Sequence, residues 1–164
     1  MKKHQTLKPL IDSKYYQRNL PHFEHAGSVY FVTTKCIPGL ILSAPAKTTI
    51  MNNIKFFADQ RYHLYCAVVM DTHFHLLVQP IEKSPGEYYG LSQIMHSLKS
   101  YSSHYLQKVG LCSGSIWQNE NFDRIIRNDQ EYLETWQYIY LNPVAAGHIE
   151  NPEEYQWLFV RKYE

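Results

Sequence analysis

Hydrophobic and polar positions divide the chain into segments of two periods. Residues 28–37, SVYFVTTKCI, are β-branched and aromatic and read as a strand that Pro38-Gly39 ends. Over 45–62, Ile50, Ile54, Phe57 and Arg61 recur at helical spacing, with Pro45 near the helix start. Residues 63–70, HLYCAVVM, are apolar on both faces, the mark of a central strand. Asp71-Thr72 is a tight connection into a strand over 73–79, so these two strands should form an antiparallel hairpin. A Pro-, Gly- and charge-rich loop over 80–90 leads to an amphipathic helix over 91–109. Its core face is expected to hold Leu91, Ile94, Met95, Leu98, Tyr101, Tyr105 and Val109, with His96, Lys99, Ser103 and Gln107 on the other side. After a Gly/Ser turn at 110–115, residues 116–127 read as a fourth strand made irregular by the sequence NENFD. A third helix is expected over 128–142, with Asn128 and Glu131 at capping-box spacing. Pro143 should interrupt it and Gly147 should stop any further turn.

The order β-α-β-β-α-β, then α, predicts an α+β fold of the ferredoxin-like plan: an antiparallel sheet with two helices on one face and the third helix added on the other. The chain, 1–164, is expected to form one domain. Residues 1–27 read as an extended arm carrying Lys2, Lys3, Lys8, Lys14 and Arg18. Residues 148–164 read as a tail docked through Tyr155, Trp157, Leu158 and Phe159.

Candidate chemistry begins with His73-Phe74-His75. On a strand, His73 and His75 share one face while Phe74, Leu76 and Val78 enter a core on the other. With nine histidines in 164 residues the motif alone is weak. The third helix strengthens it. Leu133, Trp136, Ile139 and Tyr140 form a stripe that can dock, while Glu131, Thr135, Tyr138 and Asn142 lie along another line. If that line faces the histidines, two imidazoles and the Asn142 amide oxygen can hold Mn²⁺ or Mg²⁺ with positions left open. Those positions suit the non-bridging oxygens of a phosphodiester. Tyr138 is then the nucleophile; its ordinary pKa of about 10 makes nearby positive charge necessary. Asp71 shares the alternation of His73 and His75 and is the rival third ligand, which would suit a metal hydrolase.

Composition narrows the setting. Hydrophobic residues make up 45% and charged residues 19%, as in ordinary globular domains, and a net charge of +1 excludes a histone-like binder without excluding a local basic groove. Aromatics reach 15%, enough to stack bases or to fill a core. Cys36, Cys66 and Cys112 form neither a disulfide framework nor a thiolate metal motif, Cys36 and Cys66 are expected to be buried, and a cytoplasmic setting is expected. No apolar run approaches the roughly 18 residues that span a membrane.

Several blocks together resemble one family. They are residues 27–34 (GSVYFVTT), 67–78 (AVVMDTHFHLLV), 116–118 (IWQ), 138–147 (YIYLNPVAAG) and 152–157 (PEEYQW). In this order and spacing the chain, from about residue 25 to 159, resembles the REP-associated tyrosine transposases, a branch of the HUH single-tyrosine transposases. The resemblance implies that His73, His75 and Asn142 hold a divalent metal, Mg²⁺ or Mn²⁺. It implies that Tyr138 attacks DNA to form a 5′-phosphotyrosine and free a 3′-hydroxyl. The implied substrate is single-stranded DNA beside an imperfect hairpin of the repetitive extragenic palindrome type. Lys99, Lys108, Arg124 and Arg127 are the candidate phosphate contacts, and Trp117 is expected in the core. The family usually reads Met-Pro-Asn/Asp-His where this chain has Met70-Asp71-Thr72-His73, and Trp-Ser-Ser where it has Trp157-Leu158-Phe159. A binding protein that does not cut is therefore the alternative from another class. The short link from Arg127 to the third helix favours a tyrosine acting in its own subunit, as a monomer.

Overall fold

The computed structural model describes residues 13–17 and 21–163. Lys2, Lys3, Lys8 and Arg18 of the expected arm lie outside the described residues. The arm's described part is an antiparallel hairpin of β1 (Ser13–Gln17) and β2 (Pro21–His25), where an extended segment was expected.

The core of the fold is a five-stranded antiparallel sheet. β3 (Tyr30–Lys35) pairs with β5 (His73–Pro80), and β5 with β4 (Tyr62–Val69). β8 (Phe122–Ile125) lies outside β3, and β9 (Leu158–Val160) outside β4, giving the order β8-β3-β5-β4-β9. A small hairpin, β6 (Glu82–Ser84) with β7 (Glu87–Tyr88), occupies the loop expected over 80–90. The first four sheet strands and their two helices have the ferredoxin-like plan. The tail adds an edge strand that pairs with β4, and β4 is apolar on both faces because a helix packs on each. A bulge between Leu64 and Cys66 rephases β4. Leu64, Ala67 and Val69 pack on one side, and Cys66, Val68 and Met70 on the other.

α1 (Ala44–Phe56) and α2 (Leu91–Lys108) cover one face together with Phe74, Leu76 and Val78. α1 starts at Ser43, whose Oγ accepts from the Ala46 amide, with Pro45 in its first turn. It ends six residues before the expected limit of 62. Phe57 caps it, Asp59 turns the backbone at φ 62°, and β4 begins at Tyr62.

α2 keeps its expected length but rolls on its axis. Leu91, Ile94, Met95 and Leu98 are buried as expected, whereas Tyr101, Tyr105 and Val109 are exposed and Ser102 and Leu106 take the core positions. The cause is Trp117, which is buried as expected, edge-on to Phe74 at 5.1 Å. Its indole N–H needs an acceptor inside the core and finds Ser102 Oγ at 2.9 Å; that hydroxyl in turn donates to Leu98 O at 2.7 Å.

The opposite face carries α3 (Asp129–Ala145). Asn128 Oδ1 accepts from the Glu131 amide at 2.9 Å, as the capping-box spacing predicted, and Gly147, at φ 73°, ends the helix region. Pro143 does not interrupt the helix. It lies in the last turn, where one missing amide donor removes a single bond, and the helix runs on to Ala145. The expected strand over 116–127 is shorter: a bridge from Trp117 to Cys36, then β8, with 118–121 irregular between them. Cys36 and Cys66 are buried free thiols, burial pushing each up to about 12. No helix among the described residues is long and apolar enough to cross a membrane.

Ser102→Ala removes the acceptor of a buried indole N–H. The expected loss is about 1–3 kcal/mol in urea unfolding, with Trp117 fluorescence shifted; a variant as stable as the parent would show that the core can repack around Trp117 without that bond.

Candidate active site between the histidine strand and the third helix

The register of β3 on β5 decides what surrounds the histidines. Thr33 lies opposite His75, Lys35 opposite His73 and Phe31 opposite Leu77. All of these side chains share the α3 face, because strand side chains alternate. His73 and His75 are neighbours, with ring centroids 4.7 Å apart.

Orientation of each ring follows from a hydroxyl. Thr33 Oγ1 is 2.8 Å from His75 Nδ1, and Thr72 Oγ1 is 3.2 Å from His73 Nδ1. Partnering Nδ1 in this way leaves the Nε2 atoms for other work. His75 is 4% exposed and its Nε2 has no hydrogen-bond partner. A buried imidazole nitrogen without a partner is costly in an apolar setting. Burial, then the neighbouring His73 and the Lys35 ammonium, push His75 down to about 3. Burial and Lys35 also lower His73, against opposing contributions from the Asn142 hydrogen bond and from Asp71. Both rings are therefore neutral at physiological pH, the form in which imidazole ligates a metal.

α3 supplies the other half. Thr135, Ile139 and Pro143 are the buried residues of the helix; of the stripe that spacing suggested, Ile139 is buried and Trp136 packs half-buried against the same cluster, while Leu133 and Tyr140 do not enter it. Leu133 is 56% exposed, and Trp136 and Tyr140 stack on each other at 4.9 Å. The roll has a polar cause: Arg124 Nη2 donates to Thr135 Oγ1 at 2.8 Å and its Nη1 lies 3.6 Å from Glu131. Bringing Thr135 inward places Tyr138 and Asn142 on the shoulder above the histidines. The Tyr138 ring is 5.3 Å from His75 and stands perpendicular to Phe31 at 5.9 Å, while the Asn142 side chain is hydrogen-bonded to His73. His73 and His75 on the strand and Tyr138 and Asn142 on the helix, separated by 63 residues of sequence at the nearest pair, thus converge within one chain. His73, His75 and Tyr138, with Phe31, Thr33, Lys35, Thr72 and Phe122, surround an open cavity of about 590 Å³.

The donor set fits a divalent cation: two neutral imidazoles, one with an orphaned buried Nε2, and an amide oxygen already against the other ring. Asp71 does not join it. Its carboxylate receives Lys47 Nζ at 2.7 Å and lies 3.6 Å from His148 Nε2. Among the described residues no three His, Cys, Asp or Glu side chains group as a metal site.

The candidate phosphate contacts do not converge here. Arg124 is the clamp on α3 and lies 5.5 Å over the Phe31 ring. Lys99 donates to Gln118 O and Asn119 O at 2.6 and 2.9 Å, whereas Lys108, in the last turn of α2, and Arg127, before α3, are exposed. Lys35 escaped the sequence reading, yet it is the cation beside both histidines. The signal was present in the TTK triplet, but only the β3–β5 register turns it into a neighbour of His73.

No family model matches the chain, and no curated protein matches it. Among solved structures, one of a REP-associated tyrosine transposase bound to a REP hairpin superposes with a TM-score of 0.71. It covers 87% of this chain and 82% of that one at 19% identity. The likeness shows a shared fold: a five-stranded antiparallel sheet with three helices among the described residues.

The depressed histidines predict a pH dependence. The unfolded chain protonates them near pH 6.5; in the folded chain His75 is pushed down to about 3 and His73 is lowered from its ordinary value. Their contribution to stability is complete above pH 6.5 and is lost as the pH falls from there toward 3. Melting of the metal-free protein should drop between neutral pH and about pH 4.5, and His75→Gln should drop less over the same range. Parallel curves for the two proteins would contradict the assignment.

Breaking the Asp71 pair should also be measurable. Asp71→Ala leaves the Lys47 ammonium, itself 7% exposed, without its carboxylate. Because Asp71 is part-exposed, the expected loss in chemical denaturation is about 1–3 kcal/mol, below that of a fully buried pair. A loss no larger in Asp71→Ala than in a Lys47→Met/Asp71→Ala double variant would show that the unpaired charge is not the cause.

Proposed function

We propose that this chain cleaves and rejoins single-stranded DNA beside a hairpin, through a covalent link to Tyr138. One observation carries the reading. A tyrosine, 53% exposed at an open cavity, stands over a buried imidazole whose Nε2 lacks a partner. The likeness in fold to a hairpin-bound tyrosine transposase supports the same substrate class.

His73, His75 and Asn142 would hold Mg²⁺ or Mn²⁺. When bound, the ion supplies positive charge beside the scissile phosphate. The chain's own groups do the remainder. Thr33 and Thr72 fix the imidazole rings through Nδ1. Lys35 adds a cation on the cavity wall, where a phosphodiester needs one. Phe31 holds the Tyr138 ring perpendicular to itself and limits its swing. In the reaction the Tyr138 oxygen loses its proton and forms a bond to phosphorus. The bond from phosphorus to the 3′ oxygen breaks, and that oxygen takes up a proton as the free 3′-hydroxyl. The product 5′-phosphotyrosine is a diester like the bond it replaced, so a 3′-hydroxyl can reverse the step and rejoin the strand. Water as nucleophile would forfeit that bond. The Asp71–Lys47 ion pair weighs against a hydrolase built on Asp71, His73 and His75.

Hairpin DNA labelled at either end, incubated with Mn²⁺ or EDTA, tests the proposal. The expected result is a protein adduct on the piece downstream of the cut, absent with EDTA and at least about 10³-fold slower in Tyr138→Phe. Full cleavage by Tyr138→Phe would refute the nucleophile. Tight hairpin binding with no cleavage in any divalent metal would leave a DNA-binding protein that does not cut.

A further inference from the structure

The block Ile116-Trp117-Gln118 and the irregular residues after it have no part in the cavity around Tyr138. They nevertheless form a loop anchored at many points. Gln118 N donates to Lys35 O at 2.9 Å and its side chain to Cys36 O at 2.9 Å. Ile37 N donates to Ile116 O, Gln107 Nε2 to Gly114 O, and Thr34 Oγ1 to Asn121 Oδ1. Lys99 reaches across from α2 to two of the loop's carbonyls. A loop without regular structure, tied down by so many side chains, presents a fixed surface.

That surface encloses an open cavity of about 490 Å³ between the loop and α2. Leu91, Met95 and Trp117, nearly buried, form a small apolar floor, and the rest of the lining is polar, with His96, Ser103 and Asn119 bringing imidazole, hydroxyl and amide groups to the same space. An apolar floor beneath a polar rim suits a planar, polar-edged ligand. A phosphate suits it poorly. The one lysine in the lining is bonded to main-chain carbonyls, and Glu120 and Asp123 put carboxylates on the wall. The position is informative too. On β8, Phe122 pairs with Thr33 and lines the Tyr138 cavity, whereas Asp123, and Asn121 just before the strand, line this one. A single strand of the sheet's edge separates the two spaces, and Phe122, 52% exposed and edge-on to Phe31, stands at the crossing with exposed ring surface on which a base can stack.

We infer that the cavity between α2 and the 115–121 loop receives an unpaired nucleobase of the DNA strand that passes Tyr138, the strand crossing the β8 edge over Phe122. This rests on the proposed function for its substrate class, and it adds a second recognition site to that reading. The base would rest against Trp117 and Met95 and be read along its edge by Asn119 and His96, as amide side chains read bases elsewhere.

The test compares two DNAs, a hairpin with a single-stranded flank and the same hairpin with blunt ends, by fluorescence anisotropy in EDTA, where cleavage plays no part. Ser103→Phe fills the cavity; Asn119→Ala removes a polar contact from an exposed loop position where folding is not at risk. Both variants should weaken binding of the flanked DNA about tenfold and leave the blunt hairpin within about twofold. A photoreactive 5-iodouracil placed along the flank should crosslink to the peptide containing residues 115–121 from one or two adjacent positions only. Unchanged binding of the flanked DNA by both variants, or crosslinks confined to other segments, would overturn the inference while leaving the Tyr138 chemistry intact. Conversely, loss of flank binding in the variants alongside a parent that forms no adduct in Mn²⁺ would sustain the cavity and refute the cleavage reading.

Discussion

The rotation of α3 about its own axis governs the whole candidate site. Seventeen residues of helix lie across the sheet, and a roll of one residue, about 100° in an α-helix, would carry Tyr138 and Asn142 away from the histidines. Apolar burial alone would not fix that angle, since Leu133, Trp136, Ile139 and Tyr140 offer a more hydrophobic stripe than Thr135, Ile139 and Pro143. What fixes it is directional. The Arg124 guanidinium, lying over Phe31, needs an acceptor near the sheet, and Thr135 Oγ1 meets it at 2.8 Å. Tyr132 against Tyr65 at 5.6 Å steadies the N-terminal half. A polar bond therefore orients the helix that carries Tyr138, while Ile139 supplies the burial.

The same face holds groups that stability alone would not select. An imidazole 4% exposed with a bare Nε2, a second imidazole 4.7 Å away and a lysine opposite them in register form a destabilising cluster. Lys35 lowers the proton affinity of both rings, and His73 lowers that of His75. Local conflicts of this kind, set in a sheet that is otherwise consistently packed, concentrate at functional sites. The hydroxyls of Thr33 and Thr72 satisfy Nδ1 on each ring and leave the inner nitrogens facing the tyrosine helix, an arrangement that makes sense for ligands and little sense for packing.

Much of this was legible in the sequence, and what was not has identifiable physical origins. Strand order, the hairpin at Asp71-Thr72 and the two faces of His73-Phe74-His75 follow from alternation and short connections, which are local. The stripes on α2 and α3 were misjudged for one reason in two places. Apolar spacing favoured Tyr101 and Leu133, but a donor elsewhere, the buried Trp117 indole or the part-exposed Arg124 guanidinium, took a hydroxyl from Ser102 or Thr135 at the interface. Such a requirement spans 15 or 11 residues of chain and leaves no periodic trace. β9 escaped because three residues are too short to show alternation. Lys35 escaped because its role depends on register, a property of two strands together.

Asp71 shows how one unfamiliar residue can be neutralised by its surroundings. A carboxylate two residues before His73 would ordinarily compete for the metal, and an acidic ligand would bind it more tightly than an amide. Lys47 prevents this. Its ammonium is buried, lies 4.0 Å over the Trp157 ring and has Asp71 as its carboxylate at 2.7 Å. Taking Asp71 toward the histidines would strand that charge in a nearly dry environment, a penalty of about 1–3 kcal/mol because Asp71 is part-exposed. On the proposed function, the donor set of His73, His75 and Asn142 would thus stay uncharged. A divalent ion held by a neutral set would be bound less tightly but would keep more of its charge for a substrate phosphate. His148 on the far side of Asp71 joins the end of α3 to the same carboxylate. The residue that could have been a ligand instead ties α1, the turn before the histidines and the tyrosine helix to one point.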